Sequence, residues 1–204
     1  YQQGVWSVQS PQTLSNLAFY LKTCEIRFLT DYFSQMFNFW YCEINIEENW
    51  VRVEAGVIKD QLNDYLRPHG FFFSPDLSTS SRATIGGMIN TDASGQGSLV
   101  YGKTSNHVLA LESVLANGEA LSTSPMSIEQ AEELAKKNNS YGNIIEQVLS
   151  SCRDNRSLIL EKFPRLNRFL TGYDLENVFN DDLSQLDISR LITGSEGSLA
   201  FVCE

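Results

Sequence analysis

Between Ser74 and Ser98 the chain holds four glycines, six serines and three threonines, and its large apolar side chains there are Leu77, Ile85, Met88 and Ile89 alone. Such a stretch has too little apolar surface to form a long core helix or strand, so the rest of the fold must be arranged around it. Glycine lets a backbone approach a ligand closely. Backbone N–H groups at a helix start, helped by Ser and Thr hydroxyls, can hold an anion, and a diphosphate bridge fits that chemistry. A long surface loop with a type II turn at Gly86-Gly87 is the purely structural alternative.

The flanking sequence alternates between helix and strand signals. Ser10-Pro11 followed by Leu14, Leu17, Ala18 and Leu21 predicts a helix to about Lys22. Short strands are expected over 26–29, 43–46 and 50–54, with Glu47-Glu48-Asn49 turning between the last two. Ile58, Leu62 and Leu66 lie four apart ahead of Pro68 and Gly70, which predicts a short helix. Phe71-Phe72-Phe73 reads as a buried strand or core-filling segment closed by Pro75. Asn117-Gly118 inside the apolar stretch 108–121 signals a hairpin with a tight primed turn, and Ser127 with Gln130 makes a capping box for the next helix. Helical pieces joined by loops are expected over 138–187, and a glycine-framed turn feeds a last strand over 192–202. Strands and helices mix without regular βαβ alternation, so the class is α+β.

The chain has 204 residues, 42% of them hydrophobic, enough to bury a core as one domain or two small lobes. Its 25 acidic against 15 basic side chains give a net charge of -10, which argues against nucleic acid as a partner. No apolar run approaches the roughly 20 residues that span a bilayer, and no basic n-region opens a signal peptide, so the cytoplasm is the expected location. Cys24, Cys42, Cys152 and Cys203 are scattered and form no metal-ligand spacing, which predicts buried thiols and no metal site. His69 and His107 each stand alone.

Four segments, in order and spacing, carry a resemblance: TIGGMINTDASG over Thr84–Gly95, VYGKT over Val100–Thr104, LANGE over Leu115–Glu119 and TGSEGSLA over Thr193–Ala200. They resemble the FAD-binding domain of the FAD-linked oxidases related to vanillyl-alcohol oxidase and D-lactate dehydrogenase. FPRLNRFLTGYDL over Phe163–Leu175 looks like the large bacterial branch that joins this domain to an iron-sulfur module and oxidises D-2-hydroxy acids such as D-2-hydroxyglutarate. The resemblance is specific from about Glu43 to Glu204. It implies two α+β lobes with FAD between them. Pro75, Thr84, Ile85, Gly86, Gly87, Asn90, Thr91, Ala93, Ser94 and Gly95 would then run along the cofactor, Tyr101 and Gly102 would line the same cleft, and Thr193, Gly194, Glu196, Gly197 and Leu199 would approach its nucleotide half. No His or Cys occurs between Phe71 and Asn106, so the flavin is expected to be noncovalent. No catalytic residue is assigned, because substrate and iron-sulfur domains lie outside this chain.

One departure shapes the expectation. Family members carry an early Gly-Gly-Gly-Thr type loop around the diphosphate, whereas no glycine stands between Gly4 and Gly56 here; ordinary usage would place about three or four. The stretch from Phe28 to Tyr41 is instead crowded with Phe33, Phe37, Phe39 and Trp40, read as core packing or a partner-facing patch. Residues 1–36 are therefore read as the incomplete or remodelled remnant of the first lobe and 37–204 as the second. Two functions follow: the FAD-binding fragment of a D-2-hydroxy-acid dehydrogenase, or a cofactor-free binding or scaffold protein that keeps the fold. A place among the flavin reductases of cell-wall precursor synthesis is the weaker third, since the Phe163–Leu175 signature speaks against it.

Overall fold

The computed structural model describes residues 42–163 and 172–204. The expected helix over 11–22, the strand over 26–29, the aromatic run 28–41, the boundary at 36 and most of the Phe163–Leu175 signature lie outside them. Strand β1 (Cys42–Asn45) pairs antiparallel with β2 (Trp50–Val53), Cys42 opposite Val53 and Asn45 opposite Trp50, as the alternation predicts. The reversal is held by Glu48 N donating to Asn45 Oδ1 at 3.0 Å. Helix α1 (Lys59–Leu66) buries Leu62 and Leu66, the residues that its spacing selects.

Phe71–Phe73 is neither a strand nor wholly buried: Phe71 and Phe73 pack on the core while Phe72 is 59% exposed. Its backbone pairs with a side chain in place of a strand, since Phe73 N donates to Asn63 Oδ1 at 2.7 Å. Two short helices, α2 (Ile85–Asn90) and α3 (Ser98–Tyr101), then punctuate the small-residue segment.

The hairpin forms where Asn117-Gly118 predicts it, between β3 (Leu111–Val114) and β4 (Ala120–Thr123), but its turn is not a primed pair. Gly118 alone turns left-handed, at φ 86°, and its N–H donates to Leu115 O at 2.9 Å. This is a type I turn with a following left-handed glycine. Asn117 keeps negative φ because its Oδ1 accepts from Glu119 N at 3.0 Å, a local bond that fixes the turn.

A small ladder of β5 (Met126–Ser127) leads into α4 (Ile128–Ala135), whose capping box forms as read: Gln130 N donates to Ser127 Oγ at 3.3 Å and Ser127 N to Gln130 Oε1 at 3.1 Å. The helical pieces expected next are α5 (Ser140–Val148), a π turn over Leu149–Arg153 and α6 (Arg156–Lys162). Strand β6 (Gln185–Leu186) pairs with β5, and after α7 (Ser189–Ile192) the last strand, β7 (Phe201–Val202), joins β3 in the order β4-β3-β7. Every strand pair among the described residues is antiparallel, and the class is α+β.

Two apolar cores result. One gathers Val57, Leu62, Ile85, Met88, Leu111, Leu121 and Val202; the other gathers Ala131, Ile145, Leu149, Val178, Phe179 and Leu186. Helix α7 stands between them, giving Ile192 to the first and its neighbour Leu191 to the second. That position brings the glycine-framed turn after α7 against α2. No helix among the described residues is long and apolar enough to cross a membrane.

Candidate functional site

Helix α2 carries two glycines, poor helix formers, and is held by what it docks on. Ile85, Met88 and Ile89 point into the core at helical spacing. Its first N–H groups go to protein acceptors: Ile85 N to Val57 O at 2.8 Å, Gly86 N to Ala55 O at 2.9 Å, Gly87 N to Thr84 Oγ1 at 3.2 Å and Met88 N to Thr84 O at 2.9 Å. This corrects the expectation of unpaired donors at a helix start, because docking onto Ala55–Val57 takes two of them and the Thr84 cap the other two. The two glycines have different reasons. A Cβ on Gly86 would lie 2.6 Å from Ala55 Cβ, so that residue is set by protein packing. A Cβ on Gly87 would meet Thr84 Oγ1 alone, at 3.0 Å; Gly87 is exposed and has ordinary helical φ, against the expectation of a turn at this pair. The protein crowds this position far less than Gly86, since only the capping hydroxyl would have to give, and a group lying across its open face would add a stronger demand for glycine.

The C-terminal end of α2 meets the turn after α7. Gly194 N donates to Ile89 O at 2.8 Å and Glu196 N to Asn90 O at 2.8 Å, so the turn caps the helix. Three residues in four are left-handed: Gly194 at φ 84°, Glu196 at 53° and Gly197 at 74°. For Glu196 that conformation costs about 1–2 kcal/mol. At this junction sit Asn90 Oδ1, Thr193 Oγ1 and Ser195 Oγ, three of the four buried side-chain polar atoms without a hydrogen-bond partner among the described residues. Unpaired buried polar groups are rare and costly, so their grouping on two touching segments suits a bound polar partner. A carboxamide and two hydroxyls offer both donors and acceptors to the phosphate, ribityl or ring atoms of a flavin nucleotide.

Behind this junction lies an ionic knot. Asp92, 5% exposed and left-handed at φ 44°, accepts from Ser105 N at 2.8 Å and Ser105 Oγ at 3.1 Å and pairs with the Lys103 ammonium. Arg190 of α7 donates to Ser105 O at 2.8 Å. The knot thus ties the segment after α2 to α7. Neither Asp92 nor Ser195 was singled out from sequence. A lone acidic residue among small ones signals nothing by itself, and Ser195 resembles every other serine in its turn.

The remaining expected residues are spread around this centre. Pro75 and Ile85 are buried, and the Ile85 N–H is already given to Val57 O. Gly95 presses on the Pro75 loop so closely that a Cβ would fall 1.3 Å from Asp76 O. Thr91 Oγ1 donates to Gly87 O at 2.9 Å, and Ala93 O accepts from Thr104 Oγ1 at 2.7 Å. Tyr101 stacks edge-on with Phe72 at 5.7 Å, and its carbonyl contacts His107 Nε2 at 2.8 Å. Gly102 adopts φ 78°, with Asn106 against it. Leu199 lies beyond the turn and is 39% exposed. A cavity of about 530 Å³ opens elsewhere, between the β1–β2 hairpin, α1 and β3, and of the expected residues Ile85 alone borders it.

A family model described as "FAD binding domain" matches residues 34–124. D-2-hydroxyglutarate dehydrogenase of Escherichia coli (strain K12) is 64% identical over 162 residues, 79% of this chain and 16% of that protein. The protein of the same name from Pantoea ananatis (strain AJ13355) is 65% identical over 162 residues, with the same shares. D-lactate dehydrogenase of Archaeoglobus fulgidus is 37% identical over 89 residues, 44% of this chain and 20% of that protein. The chain thus spans 16% of the length of the first two relatives.

Proposed function

Because the chain belongs to the FAD-linked oxidase family and carries its FAD-binding-domain stretch, we propose that it is the flavin-holding part of a dehydrogenase acting on a D-2-hydroxy acid such as D-2-hydroxyglutarate or D-lactate. On this reading the fold is the two-lobed vanillyl-alcohol oxidase type, with 1–36 the remodelled remnant of the first lobe and 37–204 the second. Substrate and iron-sulfur domains belong to other parts of a longer polypeptide. The observation that supports it is the trio of unsatisfied atoms, Asn90 Oδ1, Thr193 Oγ1 and Ser195 Oγ, where α2 meets the glycine-framed turn. Bound flavin would supply the redox chemistry by accepting the substrate's α-hydride. The chain's own residues bind and orient: Gly87 leaves space, the trio gives polar contacts, and the Asp92 knot holds both segments in register.

Attachment is noncovalent on this reading. The Cys42 thiol is pushed up to about 11 by burial, with Glu54 adding to it, and burial raises Cys152 as well. Both shifts disfavour the thiolate, the nucleophilic form. Acid precipitation of flavin-loaded protein is expected to leave all flavin in the supernatant. Fluorescence retained in the denatured pellet would defeat this.

The glycine-free span between Gly4 and Gly56 favours a second reading, a scaffold that keeps the fold and binds no cofactor. Gly87→Val separates the two. Its branched Cβ meets the capping Thr84 hydroxyl alone, so the melting temperature should fall modestly, whereas FAD affinity should fall at least about tenfold, roughly 1.4 kcal/mol. Titration of FAD into both proteins by flavin fluorescence, with a melt of each, is the measurement. Equal, near-zero binding in both would reject the cofactor and leave the scaffold.

A further inference from the structure

The cavity beside β1 is largely apolar in its depth and polar at its edge. Ile44, Val51, Val53, Leu66, Phe73 and Leu111 are among its walls, with Arg52, Glu112 and Glu204 also lining it, and its volume is about 530 Å³. Protein interiors are close-packed, and an apolar void weakens a fold in proportion to its size. The β1–β2 hairpin that forms one wall is a two-stranded sheet, an element with little stability unless something covers it.

We propose that the aromatic run 28–41 of this same chain docks in that cavity. Connectivity favours it: Trp40 and Phe39 precede Cys42, the first residue of β1, by two and three positions, so each lies within ~7–11 Å of that strand's start. Phe37 and Phe33 follow at reaches that still span a cavity of this size. Composition favours it too. The run holds Phe28, Phe33, Phe37, Phe39 and Trp40 and a single charged side chain, Asp31, so it matches apolar walls and would be poorly solvated in water. The inference concerns packing alone and does not depend on flavin binding.

Trp40 serves as reporter once Trp6→Phe and Trp50→Phe have removed the other two tryptophans from the full chain; Trp50 is itself a wall residue, and phenylalanine keeps an aromatic ring there. Trp40 emission is expected to be blue-shifted from its value in urea, with acrylamide quenching several-fold weaker, and both are expected to be independent of protein concentration. In this background Ala110→Arg places a charge at an exposed point of the cavity wall, and Leu160→Arg places one on α6, which contributes nothing to that wall. The first should shift Trp40 emission to the red and raise its quenching, and the second should not. Urea-like emission in the parent would overturn the proposal, as would protection unchanged by Ala110→Arg. Protection lost on dilution would also overturn it, since a second copy would then be the occupant.

Discussion

Replacing Asp92 with alanine is expected to destabilise the chain by about 3–5 kcal/mol, because it leaves a buried ammonium without its partner, and to lower its melting temperature by roughly 10 °C. The carboxylate holds Lys103, Ser105 N and Ser105 Oγ at once. Its side chain and that of Lys103 are 8% and 12% exposed, so water does not replace what is lost. Alanine adds a second cost, since φ 44° suits Asp and Asn better than other residues with a Cβ. Asp92→Asn keeps the shape and the backbone conformation while removing the charge, and should fall between alanine and wild type. Combining Asp92→Asn with Lys103→Met removes both charges and should recover part of the loss. Circular-dichroism melts of the four proteins decide it. An Asp92→Asn protein melting with wild type would show that the ion pair contributes nothing.

What the sequence made legible followed from local rules. The β1–β2 alternation, the α1 spacing and the Ser127–Gln130 box each depend on residues a few positions apart, and all three formed. The exceptions were settled by partners far along the chain or by side-chain bonds that no periodicity encodes. Asn63 replaced a strand neighbour at Phe73, and Asn117 fixed its own turn through Glu119 N. At the candidate site, Gly86 and Gly87 look alike in sequence, yet Ala55, some thirty positions earlier, sets the one, while the other has only the Thr84 hydroxyl against it. The same docking, with the Thr84 cap, consumed the helix-start donors that composition suggested for an anion. Thr193 and Asn90 were named by resemblance, but the reason they matter, buried polar atoms left without partners, appears only when the turn after α7 folds onto α2.

Supplied with excess FAD, D-2-hydroxyglutarate or D-lactate, and an artificial electron-accepting dye, this chain is expected to show no dye reduction above the protein-free rate. Hydride transfer needs the substrate carbon held within about 3–3.5 Å of the flavin, and positioning of that kind is worth effective molarities of ~10⁵–10⁸ M. It also needs a base for the hydroxyl proton, worth a further ~10²–10⁴-fold. Among the described residues the two histidines are engaged otherwise: His107 Nε2 contacts Tyr101 O at 2.8 Å and Ser74 Oγ at 3.0 Å, and His69 lies against the Tyr65 ring at the end of α1. The relatives that bear the dehydrogenase name are far longer than the stretch matched here. On the proposed function both contributions to rate come from other parts of a longer protein, and losing either is enough to hide turnover. Dye reduction that depends on the D-hydroxy acid and is absent with its L-isomer would show that the chain positions and deprotonates substrate itself. The search for a base would then turn to His107, whose release from Tyr101 O would be the first requirement.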